Sequence, residues 1–121
     1  METYSPIVVD HYTNPRNAGR LADADAIGDV VDPGTDTLVV IYLKQKRGRI
    51  ERATFRTIGC NACVAASSMA TELVIGRTVA EARSVDTEAI VRALGGLPED
   101  KRYCAELVAQ ALASALRQLG E

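Results

Sequence analysis

At 121 residues, 47% of them hydrophobic and 25% charged, the chain is sized for one domain, residues 1–121, that can bury a core without disulfides or a structural metal. Its 14 Lys and Arg against 16 Asp and Glu leave a formal net charge of -2, which argues against a dominant nucleic-acid footprint. The longest apolar stretch, Leu38 to Leu43, is far too short to cross a bilayer and the N-terminus has no secretory pattern, so a cytoplasmic protein with reduced cysteines is expected.

Ser5-Pro6 pairs an N-cap residue with Pro at the first helical position, predicting a short helix with Ile7, Val8 and Tyr12 on one face, stopped by Asn14-Pro15. Asn14 to Gly19 is turn chemistry, and Leu21 to Ala26 reads as a polar surface connection. Gly28 to Val31 is expected to be a short strand ending in the turn Asp32-Pro33-Gly34-Thr35-Asp36. Two firmer strands follow, Thr37 to Lys44, rich in β-branched residues, and Arg49 to Thr57 with one wet face, joined by a turn at Gln45 to Gly48. The run Lys44-Gln45-Lys46-Arg47-Gly48-Arg49 lacks aromatic interleaving and reads as a solvated hairpin tip, so no nucleic-acid partner is expected.

The second half is helical. Ala62 to Ile75 has good helix formers with Gly76 as the stop, and Thr78-Val79-Ala80-Glu81 is a capping-box pattern opening a short helix. Asp86 or Thr87 can cap a third helix that runs to Leu94-Gly95-Gly96, and Leu97-Pro98 then breaks the chain. Leu107, Val108, Ala111, Leu112, Ala115, Leu116 and Leu119 recur at three and four residues, marking a long C-terminal helix with Cys104 in its first turn. Strands followed by helices predict an α+β fold: a three-stranded antiparallel sheet with helices mainly on one face.

Cys60 and Cys63 lie where the last strand meets the Ala-rich helix, at a helix head whose dipole and free N–H groups favour a thiolate. Cys104 occupies a similar place on the last helix. If the two heads meet, three thiols converge, and Asp36 can add an oxygen from the Pro-Gly turn, a set suited to Zn²⁺ or an iron-sulfur cluster. Two alternatives stay open: cysteines that merely pack, and a C-x-x-C redox protein. The redox reading lacks the βαβ unit that a thioredoxin-like fold places before the motif. His11, the only histidine, has no neighbouring nucleophile and reads as a capping or surface residue; Ser67 and Ser68 read as helix packing.

Tyr4-Ser5, Val9-Asp10-His11-Tyr12, Asn14 to Gly19, Gly59-Cys60 with Ala65-Ala66-Ser67-Ser68 and Thr71-Glu72, and Leu97-Pro98 with Lys101 and Cys104 carry a resemblance. Over nearly its whole length the chain resembles the IscU/NifU N-terminal family of iron-sulfur cluster assembly scaffolds. The resemblance implies a non-enzymatic scaffold or carrier that receives sulfur from a cysteine desulfurase, builds a transient [2Fe-2S] cluster and passes it to apo iron-sulfur acceptor proteins. It matches Cys60, Cys104 and Asp36 to ligand positions. Gly34 stands where the first ligand cysteine is expected, Tyr103 where a His often precedes the last one, and Cys63 is extra. One reading is relocation, with Cys63 restoring the missing thiolate; another is a zinc- or iron-binding relative that builds no cluster. Glu99 and Asp100 place two charges in the stretch that many members present to a dedicated Hsp70 chaperone, which counts against that partner.

Overall fold

Three strands, β1 (Ala26–Asp32), β2 (Thr37–Lys46) and β3 (Arg49–Ile58), pair antiparallel in chain order in the computed structural model, which describes residues 3–120. The β1–β2 register runs from Ala26 opposite Leu43 to Asp32 opposite Thr37, and Leu38 also faces Ile58 of β3. Alternation then divides the residues. Thr37, Val39, Ile41 and Leu43 point into the core, whereas Val31 and Ile58, flanking Leu38 on the other face, are exposed.

Among the described residues the helices are α1 (Pro6–Thr13), α2 (Asn61–Val74), α3 (Val79–Ala82), α4 (Thr87–Ala93) and α5 (Arg102–Gln118), with a 3-10 turn at Glu99–Lys101. Helix α5 packs on β1 and β2, α2 packs on β3, and α1 lies along α2. The three-stranded α+β arrangement predicted from the sequence is the one observed. Its caps hold as well: Ser5 Oγ accepts from Val8 N–H, Asp86 Oδ1 accepts from Ala89 N–H, and both bonds of the Thr78–Glu81 capping box are present.

Three local expectations need correction. The first strand starts at Ala26, not Gly28, because it pairs along its length with β2 up to Leu43. Leu21, assigned to a surface connection, is buried. On α1 the buried face carries Val8 and His11, three residues apart, while Ile7 is 42% exposed.

Two close approaches fix the frame. Gly28 lies where α5 crosses β1, so near that a Cβ there would stand 2.1 Å from Ala111 O and 2.5 Å from Ala115 N. At the other side of the sheet, Asn17 and Gly19 exchange backbone hydrogen bonds with Phe55, laying the turn after α1 along β3. The β2–β3 hairpin turns at Arg47-Gly48, both with positive φ (57° and 77°), the geometry of a two-residue turn whose twist matches its strands. Its basic tip is not purely solvated: Arg49 Nη1 donates to Gly76 O, tying it to the end of α2.

Candidate metal centre

Cys60 is the N-cap residue of α2, extended at φ -83° and ψ 174°, and its carbonyl accepts from the N–H groups of Cys63 and Val64. Cys63 is then the third residue of α2, and Cys104 is the third residue of α5. Because these helices pack together, their first turns meet and the three sulfurs converge within 4.8 Å of one another. The individual separations are 3.8 Å for Cys60–Cys63, 3.6 Å for Cys60–Cys104 and 2.7 Å for Cys63–Cys104. Cys63 and Cys104 have no solvent exposure, whereas Cys60 is half-buried.

The acidities separate along with the burial. Cys63 is lowered to about 7, first by its hydrogen bond with the Cys104 thiol, then by Cys60 and the charge of Lys101, with burial opposing. Cys104 moves the other way: the same shared proton, then burial and the nearby sulfur charges, hold it strongly in the thiol form. Sequence position alone pointed to the helix dipole as the source of thiolate character. The structure adds a neighbouring thiol, which depends on a residue 41 positions away.

Tyr103, Tyr4 and Leu97 pack around the Ala62, Cys63 and Cys104 cluster and give the thiols an apolar wall. Burial, followed by the charge of the adjacent cysteines, raises the Tyr103 phenol, so it remains a neutral O–H beside them. Tyr103 stands where the resemblance implies a His, and it supplies a hydroxyl in place of an imidazole.

The sequence-derived set of Cys60, Cys63, Cys104 and Asp36 is brought together in three of its members. Asp36 does not join the sulfur group; it is exposed in the β1–β2 loop with φ 54°, a left-handed conformation that Asp tolerates. The next residue links that loop to the thiols. Thr37 is buried beside Gly59, and a Cβ on Gly59 would sit 3.3 Å from Thr37 Cγ2 and 3.4 Å from Cys63 Sγ. Gly34 lies in the same loop with room for a side chain, the nearest atom to a Cβ being Asp32 Oδ1 at 3.6 Å.

His11 is neither a cap nor a surface residue. It is buried on α1, with Nδ1 2.8 Å from Ser68 Oγ, and that oxygen also accepts from Arg16 N–H at 2.9 Å. Ser68 therefore does more than pack: its hydroxyl joins α1, the following turn and α2. Asn17 Nδ2 extends the link by donating to Thr71 Oγ1. Burial and the charge of Arg16 lower the His11 pKa, keeping the imidazole neutral. The local sequence did not announce this partner 57 residues away.

Residues 3–120 match the family described as the NifU-like N terminal domain. The chain belongs to that family. It is 48% identical over 113 residues to the iron-sulfur cluster assembly scaffold protein IscU 1 of Archaeoglobus fulgidus, covering 93% of this chain and 74% of that protein. It is 39% identical over 118 residues to IscU of Azotobacter vinelandii, covering 94% and 91%. The fold is shared with a putative iron-sulfur cluster assembly scaffold protein for the SUF system from Fervidobacterium islandicum, at TM-score 0.75, 20% identity, and coverage of 93% and 96%. The three sulfurs at the meeting of α2 and α5 form a group that could hold a metal ion. Tetrahedral thiolate ligation with bonds of about 2.3 Å separates sulfurs by about 3.8 Å. Two edges of this triangle already have that length, and the Cys63–Cys104 edge would open by about 1 Å.

Proposed function

We propose that this chain is an iron-sulfur cluster assembly scaffold or carrier in which Cys60, Cys63 and Cys104 together hold the iron. The observation that carries the reading is the convergence of three thiols at two helix heads in a chain of the NifU-like N-terminal family. Soft thiolates favour iron-sulfur units and zinc over hard cations. The exposed Asp36 carboxylate is the fourth ligand in this proposal; as a hard oxygen donor it binds iron more weakly than a thiolate does and keeps the cargo exchangeable. Cys63 compensates for Gly34: it contributes from one turn inside α2 the thiol that the β1–β2 loop lacks.

The cargo is a [2Fe-2S] cluster, with sulfur arriving from a cysteine desulfurase and the finished cluster leaving for apo iron-sulfur proteins. The protein is a carrier in this account and not an enzyme. Anaerobic incubation with iron, sulfide and thiol, followed by gel filtration and addition of an apo-ferredoxin, tests it. Visible absorption of a [2Fe-2S] cluster on the chain that moves to the acceptor supports the reading. One tightly held zinc and no cluster under the same conditions would overturn it in favour of a metal-binding relative, which the two edges near 3.8 Å also suit.

A further inference from the structure

The three sulfurs are not equivalent. Cys60 is the member solvent reaches, while Cys63 and Cys104 are sealed from solvent and stand 2.7 Å apart. That separation is too short for two ligands of one metal and lies between ordinary sulfur contact and the 2.03–2.05 Å of a disulfide. The buried pair is thus placed to form a sulfur–sulfur bond, with an accessible third thiol 3.6 Å and 3.8 Å away. A dithiol that becomes a disulfide gives up two electrons. Two electrons are what convert a sulfane sulfur, the outer atom of a persulfide, into sulfide.

We infer that the site also draws sulfide from a persulfide: Cys60 accepts a sulfane sulfur from a persulfide donor, and the Cys63–Cys104 pair reduces it to sulfide, giving up two electrons per chain in each loading. In the first step Cys60 Sγ attacks the outer sulfur of the donor R–S–SH, the donor's sulfur–sulfur bond breaks, and R–SH leaves. Cys63 Sγ then takes that outer sulfur from Cys60, which regains its proton as a thiol. Finally Cys104 Sγ attacks Cys63 Sγ; the bond to the outer sulfur breaks, its electron pair leaves with HS⁻, and a Cys63–Cys104 disulfide remains. Summed over the last two steps, one persulfide and two thiols become one thiol, one disulfide and one H₂S. A dithiol reductant restores the pair by exchange through a mixed disulfide. The inference rests on the scaffold reading only for the use of the sulfide, which a cluster requires. It also adds an order of events, since Cys63 and Cys104 are free to bind iron only after that re-reduction.

Reduced, metal-free protein in the presence of a chelator is mixed anaerobically with a slight excess of glutathione persulfide and no other reductant. Sulfide is assayed over one turnover, and peptide mass mapping locates the modified sulfurs, with fragmentation between Cys60 and Cys63 assigning any bond. The expected result is about one sulfide per chain, the loss of two hydrogens, and a Cys63–Cys104 bridge. In Cys63→Ser the sulfide burst should fall at least about tenfold, because the thiol that takes the sulfur from Cys60 is missing, and the chain should retain one added sulfur. A wild-type chain that keeps the added sulfur without an internal disulfide would overturn the inference. So would a bridge that includes Cys60, or a Cys63→Ser burst equal to wild type. The wild-type peptide map decides the matter even if the variant does not fold. No iron is present, so a failed cluster assembly and a failed sulfur reduction are separate results.

Discussion

Replacing Gly28 with alanine should strike the contact that places Cys104, although the two residues are far apart in sequence. The added Cβ would lie 2.1 Å from Ala111 O and 2.5 Å from Ala115 N, both backbone atoms of α5, so no side-chain rotation relieves the clash. Ordinary carbon–oxygen contact is a little over 3 Å, and α5 must therefore retreat from β1 by about 1 Å. That retreat loosens Ala111, Leu112, Ala115 and Leu116, all buried. Overpacking commonly destabilises by 1–3 kcal/mol, and a backbone-against-backbone clash belongs at the upper end, about 3 kcal/mol. For a domain of this length that is a fall in Tm of roughly 12 °C, read by thermal circular dichroism and checked by urea unfolding. Gly34→Ala is the control, its Cβ meeting nothing nearer than 3.6 Å, and should stay within about 0.5 kcal/mol of wild type. A loss below about 1 kcal/mol for Gly28→Ala would refute the claim that α5 is held by backbone contact at this glycine.

Two further outcomes follow from the α1 attachment. The His11 pKa is lowered in the fold, so between its ordinary value near 6.5 and the lower folded value the unfolded chain binds a proton that the native one does not. Stability is complete above pH 6.5 and falls as pH drops toward the folded pKa; His11→Gln should flatten urea-unfolding free energies as pH drops below about 6.5, and an unchanged slope would contradict the assignment. Ser5→Ala removes both the cap on Val8 N–H and a hydroxyl bond to Leu94 O, and should destabilise by about 1–2 kcal/mol in the same assay.

The parts of the fold readable from sequence were those written in local chemistry. The period of Leu107 to Leu119 marked α5, β-branched runs marked β2, and Ser5, Thr78 and Asp86 each announced the helix they cap. What was not readable depended on partners distant in the chain. Gly28 looks like an ordinary strand glycine until α5 arrives, and His11 looks exposed until Ser68 meets it. The same division runs through the site. Two cysteines at one helix head and a third at another were visible as candidates for a common pocket, and they do converge. Their inequality was not visible. Packing α2 on α5 presses Cys63 and Cys104 together, leaves Cys60 toward solvent, and thereby sets which sulfur is acidic, which is protonated and which is accessible.

The claim that Cys63 takes the place of a thiol missing at Gly34 is tested most directly by iron bound per chain after anaerobic reconstitution of three proteins. Wild type should hold about two iron atoms per [2Fe-2S] site, and Cys63→Ser should lose most of them. Cys63→Ser with Gly34→Cys, for which the loop has room, should recover them. Full iron content in Cys63→Ser alone, or no recovery in a folded double variant, would contradict the account.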